Sequence, residues 1–282
     1  RLLENGALPD MEGRALGVQL LPEASSYGAG RVFVLGSDGR GVFVDPSCSS
    51  ATEPIAVAQA NLPVLHSSLS FDGTNFLVGY TQQAVAYPDR FVVQKVSPTG
   101  SLAGGPIPIA SASWTRTTSD TEGAVGIVGH QASEGGASLV SYAPYTWEPA
   151  TFTSTMSGTP HFRALDSNGA LGTDRAFSPM PLYEPRVVGV SGGFLLTTVT
   201  NGWVPLIVKL QPDGTEIRRL ALIPSWPARG PGIAQSGTDL VMSGMGRFWR
   251  YNGDLAYVSG PAPTNFRAAP QYRASAANAG NV

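Results

Sequence analysis

The chain has 282 residues, with 34 glycines, 23 prolines, 42% apolar residues, 13% charged residues and a formal net charge of −2. This length fits one large domain or two small ones, and the apolar content is too high for a disordered chain. The small net charge, without any basic block, argues against nucleic acid as a partner. No apolar run approaches the roughly 18 residues that span a bilayer, so membrane insertion is not expected.

Five hairpin patterns follow one another along the chain, each an apolar strand, a glycine-containing turn and a second strand. Their Asp-Gly and Asn-Gly pairs supply the positive φ that tight hairpins require. The five stretches are VFVLGSDGRGVFV (32–44), FVVQKVSPTGSL (91–102), HFRALDSNGALG (161–172), LIVKLQPDGTEI (206–217) and FWRYNGDLAYV (248–258). In the first stretch the SDG turn joins either strands two and three or strands three and four of its unit.

A second pair of short strands precedes most of these hairpins, as in LHSSLSFDG followed by TNFLVGYT. Each unit therefore has four strands, and the first strands are predicted to begin near residues 18, 65, 123, 185 and 231. Such a repeat is typical of β-propeller blades, because a sandwich or barrel does not repeat so regularly. The sequence predicts an all-β fold, a β-propeller of five blades with four antiparallel strands each. It spans residues 1–260, and residues 261–282 form a tail that closes the ring or is disordered.

The second unit carries a resemblance to a known family. Its segments FDGTNFLVGY (71–80) and VQKVSPTGSLAGGPIPI (93–109) are similar to the secreted β-propeller repeats of myxobacteria and their relatives, whose blades contain DGTNYLVVW-like strings. The other four units depart from this pattern. The resemblance implies the fold and a secreted or cell-surface location, and it transfers no catalytic residue.

Turn lengths predict which end of the blades carries function. In a propeller blade, the turns between strands one and two and between strands three and four lie on one face, which we call the first face. The connections between strands two and three and between blades lie on the opposite, second face. The short turns fall on the first face and the long connections on the second, where loops longer than a hairpin needs are usually kept for binding.

Aromatic residues are concentrated in these second-face connections, including 143–159, and exposed rings supply flat contact area. The residues predicted to bind a ligand are Tyr87, Trp114, Tyr145, Trp147, Trp203, Trp226 and Arg229. The alternative is that these rings only seal the blades against one another.

A site at the mouth of the central channel is a second possibility, since first strands begin at the second face. Glycoside hydrolases place two carboxyl groups about 5–9 Å apart across the sugar, and Glu122 and Glu184 are the acidic pair expected near one pocket. With His66 and Arg186 they form the alternative catalytic set. Pairing of Glu184 with Arg186 or Arg229 explains the same charges structurally.

No metal site or cofactor is predicted. The histidines His66, His130 and His161 lack metal-ligand spacing, and the lone Cys48 has no evident partner base. The sequence therefore predicts an extracellular binding module for a carbohydrate or a protein surface. A polysaccharide-active hydrolase or lyase and a structural spacer remain as alternatives.

Overall fold

The structure, a computed structural model, describes residues 22–47, 49–58, 64–82, 90–111, 124–148, 153–156, 158–178, 186–200, 204–221, 232–236, 238–244 and 247–263. These ranges hold 21 strands in five antiparallel sheets and contain no helix. The prediction of an all-β fold is confirmed.

Each sheet is formed by one continuous stretch of the chain. Sheet 1 contains β1 (Pro22–Gly28), β2 (Arg31–Gly36), β3 (Arg40–Val44) and β4 (Ile55–Ala56). Sheet 2 contains β5 (Val64–Phe71), β6 (Phe76–Gln82), β7 (Arg90–Val96) and β8 (Ile107–Ser111). Sheet 3 contains β9 (Ala124–Glu134), β10 (Ala137–Glu148), β11 (Thr153–Met156), β12 (His161–Leu165) and β13 (Arg175–Ala176). Sheet 4 contains β14 (Arg186–Val190), β15 (Gly193–Thr200), β16 (Val204–Leu210) and β17 (Glu216–Ala221). Sheet 5 contains β18 (Gly232–Ser236), β19 (Asp239–Gly244), β20 (Arg247–Asn252) and β21 (Tyr257–Pro263).

The strands of each sheet follow chain order, with β11 added beside β10 in sheet 3. The first strands of consecutive sheets lie next to one another, from β1 through β5, β9 and β14 to β18. This is the arrangement of β-propeller blades around an axis. First strands begin at residues 22, 64, 124, 186 and 232, close to the predicted positions.

Apolar clusters between consecutive sheets form the core. Successive side chains of a strand point to opposite faces, so β15 serves two clusters at once: Phe194 and Leu196 pack towards sheet 3, and Leu195 packs towards sheet 5. Sheets 1 and 2 enclose a third cluster around Phe33 and Phe76. Sheets 2 and 3 enclose the fourth. Sheets 2, 3 and 4 are therefore apolar on both faces.

A basic side chain crosses each of these four boundaries and donates to the turn between the third and fourth strands of the next sheet. The four pairs are Arg31 with the Pro98 carbonyl, Lys95 with the Ser167 carbonyl, Arg175 with the Thr215 hydroxyl, and Lys209 with the Gly253 carbonyl. Lys95 and Lys209 are the only lysines in the chain. Both lie five residues before a turn glycine, which places them at the same point of their sheets.

The structure resolves the alternative left open for the first unit. Its SDG turn joins β2 to β3, closed by a 3.0 Å hydrogen bond from Gly39 N to Gly36 O. Residues 45–54 connect β3 to β4 instead. Sheets 1 and 5 each reach four strands within 22–56 and 232–263. The last strand ends at Pro263, so the predicted tail from residue 261 begins inside it.

In sheets 2 to 5 the turn that follows the third strand places a residue with positive φ against the preceding sheet, and these residues are Gly100, Gly169, Gly214 and Leu255. Gly169 has φ +92°, and a Cβ added there would lie 2.8 Å from Ile107 Cδ1 of sheet 2. In sheet 5 the prediction assigned this role to the Asn-Gly pair, but the positive φ, +59°, belongs to Leu255. Leu255 is 1% exposed and joins the cluster between sheets 4 and 5. Packing thus offsets the strain of a bulky residue in this conformation.

We expect Gly169→Ala to destabilise the protein more than Gly104→Ala. Both glycines have positive φ, but a Cβ at Gly104 meets nothing within 4 Å, so that variant should lose only the roughly 1–2 kcal/mol of left-handed strain. Gly169→Ala also forces the side chain of Ile107 in sheet 2 to move. Equal free energies of unfolding in urea for the two variants would contradict the close packing described for this turn.

We expect Leu255→Gly to be at least as stable as Leu255→Ala. Both lose the buried side chain, at a cost of about 2–5 kcal/mol, but glycine adopts positive φ without strain. The control is Leu240 in β19, where the backbone is ordinary and glycine should be the worse of the two substitutions by about 1 kcal/mol. Chemical denaturation of the four variants tests the reversal, and the same order at both sites would refute it.

Candidate binding surface

At the second face, sheet 3 continues beyond the point where β12 begins. The pairing of β10 with β12 starts at Tyr142 and His161, but β10 continues to Glu148. Over Tyr145–Glu148 it pairs with β11, and as far as Trp147 it remains paired with β9. A three-stranded extension therefore stands at the second-face end of this sheet.

This extension corrects the prediction for residues 143–159, which the sequence analysis treated as a long loop. Tyr145 and Trp147 lie within β10, where Tyr145 is opposite Met156 and Trp147 is opposite Ser154. Tyr145 is half-buried. Threonine, tyrosine and tryptophan favour strands, so the residues that suggested an aromatic loop also continue the β-ladder. The ligand-binding role predicted for both residues stays a prediction.

Two residues of the predicted channel-mouth set lie in described strands. His66 is near the start of β5, and Arg186 begins β14 opposite Thr197. Arg186 is half-buried. Both lie at the second-face ends of first strands, and the role predicted for them at a channel mouth stays a prediction. The other predicted site residues lie outside the described residues, and they are Tyr87, Trp114, Glu122, Glu184, Trp203, Trp226 and Arg229.

The structure brings together a polar cluster that the sequence analysis missed, formed by Tyr142, His161, Arg163 and Asp174. His161 Nδ1 and Asp174 Oδ1 are 3.1 Å apart. The rings of Tyr142 and His161 stack with centroids 5.6 Å apart and planes at 16°. Arg163 Nε donates to Gly172 O at 3.1 Å. These residues come from β10, β12 and the segment before β13, so pairing register alone makes them neighbours.

The cluster lies on the side of sheet 3 that faces sheet 2, since Tyr142 packs against the apolar cluster between these sheets. Burial raises the pKa of the Tyr142 phenol, and the Asp174 carboxylate beside it raises this pKa further. The positive charge of Arg163 acts in the opposite direction. One carboxylate and one guanidinium balance each other, so the cluster has no formal net charge when His161 is neutral.

No group of three or more His, Cys, Asp or Glu side chains suited to hold a metal ion occurs among the described residues. In the same part of the chain, no helix has the length and apolar character needed to cross a membrane.

Comparison with known proteins identifies no matching family model and no matching curated protein. Solved structures resemble the chain distantly. A variant of the apocarotenoid oxygenase of Synechocystis gives a TM-score of 0.46 at 9% identity, covering 81% of this chain and 57% of the oxygenase. The Pan2 WD40 domain of Neurospora crassa gives 0.47 at 10% identity, covering 87% and 66%. BamB of Moraxella catarrhalis gives 0.42 at 13% identity, covering 88% and 66%. The chain thus spans little more than half of the length of the oxygenase.

The carboxyl group of Glu134 is half-buried at the first-face end of sheet 3. Glu134 ends β9, where β14 approaches so closely that a Cβ added at Gly189 would lie 3.2 Å from Glu134 Cβ. Burial raises the pKa of Glu134 above its usual value. The folded state therefore favours the protonated form of this side chain.

We expect Glu134→Gln to stabilise the protein at pH 7 but not near pH 4. Because the pKa of Glu134 is higher in the folded state than in the unfolded state, the wild type loses stability as the pH rises between the two values. Below both values the carboxyl group is neutral in each state, and the variant has no such advantage. Urea denaturation at the two pH values measures this, and a gain that is the same at both would contradict it.

Proposed function

We propose that the chain is a five-bladed β-propeller that acts as an extracellular binding module and holds a carbohydrate or a protein surface on its second face. The observation that carries the proposal is the extension of sheet 3. Its strands place Tyr145 and Trp147 at the second-face end of β10, beyond the part of the sheet where β12 pairs.

A rigid strand is a favourable place for a binding residue. Strands hold side chains more precisely than loops do, and aromatic side chains contribute contact area at a low entropic cost. We propose that Tyr87, Trp114, Trp203, Trp226 and Arg229, from the neighbouring second-face connections, complete the surface around the extension. This grouping follows from the alternation of faces along each four-stranded unit.

The count of five blades is supported by the same set of contacts at each of the four described boundaries between sheets. Four consecutive pairs of sheets share an apolar cluster and a basic side chain that reaches the next turn. In the proposed ring, sheet 5 returns to sheet 1. The extracellular location is supported by the similarity of segments 71–80 and 93–109 to secreted propeller repeats.

A glycan array and an affinity capture with extracellular proteins test this function together. We expect the wild-type chain to retain a ligand, and Trp147→Ala to weaken binding by about 30-fold, the effect of losing a central aromatic contact worth roughly 2 kcal/mol. The control is Tyr257→Ala, which removes an exposed aromatic side chain from the outermost strand of sheet 5. Its binding should equal that of the wild type.

Two results would contradict the proposal. Equal binding by the wild type and Trp147→Ala would remove sheet 3 from the binding surface. Turnover of a glycan that disappears in the Glu122→Gln, Glu184→Gln double variant would replace the binding function by a hydrolase or lyase activity.

A further inference from the structure

We propose that Tyr142, His161 and Asp174 form a subsite for a neutral sugar ring. The proposal rests on the binding function above and narrows its ligand to an uncharged carbohydrate. The three residues lie on the side of sheet 3 that faces sheet 2. Tyr142 is three residues before Tyr145 on β10, about 10 Å along the strand, so the subsite lies beside the extension but on the side of the sheet opposite to Tyr145.

The hydrogen-bonding groups of the subsite suit sugar hydroxyls. A carboxylate can only accept hydrogen bonds, so its contact with Asp174 places the proton of a neutral His161 on Nδ1 and leaves Nε2 as an acceptor. No described residue bonds to Nε2. The His161 and Asp174 side chains are 35% and 43% exposed. A ligand can therefore reach two oriented acceptors that a hydroxyl group would satisfy.

The rings of the subsite form a fixed apolar surface beside these acceptors. Tyr142 packs against the apolar cluster between sheets 2 and 3. The ring of His161 stacks on the ring of Tyr142 in a nearly parallel orientation. The two residues are direct cross-strand partners, so strand pairing maintains the stack. The face of the His161 ring that points away from Tyr142 is left as the flat surface for the C–H groups of a sugar ring.

The charge of the cluster favours a neutral ligand over an anionic one. Asp174 would repel a sulfate, phosphate or uronate group placed against His161. Arg163, whose Nε donates to the Gly172 carbonyl, balances the charge of Asp174, so the cluster has no net positive charge to attract an anion. A nucleic acid or an acidic glycan is therefore a poorer fit than a neutral oligosaccharide.

The test uses the whole chain on an array of neutral and acidic oligosaccharides, followed by calorimetric titration with the tightest neutral hit. We expect Asp174→Asn and His161→Ala each to weaken binding at least tenfold, since each removes an acceptor that the sugar hydroxyls use. Tyr142→Phe keeps the stacked ring and should retain most of the affinity. The control is Asp254→Asn, which changes an 80% exposed carboxylate in a first-face turn of sheet 5 and should leave binding unchanged.

Thermal unfolding of each variant separates loss of the subsite from loss of the fold, and Tyr142→Phe provides a second, milder change of the same cluster. Binding that is lost in Trp147→Ala but unchanged in His161→Ala and Asp174→Asn would overturn the subsite and leave the binding function intact. A wild-type chain that binds acidic glycans only, or a protein only, would also overturn the subsite alone. A wild-type chain that binds neither glycan nor protein would overturn both proposals.

Discussion

Burial of apolar side chains between consecutive sheets is the constraint on which the rest of the structure depends. A strand such as β15 is buried along nearly its whole length, and its successive residues face two different neighbours. In a sheet that is apolar on both faces, each face has to be buried against another layer of structure. Sheets 2, 3 and 4 therefore each require a neighbouring sheet on both sides, and the repeat of the sequence becomes a stack of sheets.

Polar contacts then fix how consecutive sheets are aligned. Hydrophobic burial is not directional, so it does not by itself determine how far one sheet is shifted against the next. The basic side chains that reach the following turn add defined donor and acceptor atoms at each described boundary. Lys95 is buried, so its ammonium group depends on that acceptor. The turn glycines complete this alignment, because a side chain at Gly169 would press against Ile107 of sheet 2.

The strand content, the repeat and the starts of the first strands were predictable because they follow from local patterns. Turn residues such as those in PTG and SNG require a specific backbone conformation, which short sequences encode. The place of a turn within its sheet is not encoded in this way, and the SDG turn accordingly fitted two positions. The NGD turn misled the prediction for a different reason: burial of Leu255 outweighed the local preference of Gly253 for positive φ. Both outcomes depend on tertiary packing.

The candidate binding surface was predictable only in part, and the register of β10 explains why. Residues 143–148 have the composition of an aromatic loop and also of a strand, and pairing with β9 and β11 decides between the two. The same register sets Tyr142 against His161, which is 19 positions away in the sequence and has no motif to mark it. Because side chains alternate along a strand, Tyr142 and Tyr145 face opposite sides of sheet 3. A slip by one residue would exchange those sides and separate the stacked pair. Any function of this surface therefore depends on the pairing that builds sheet 3.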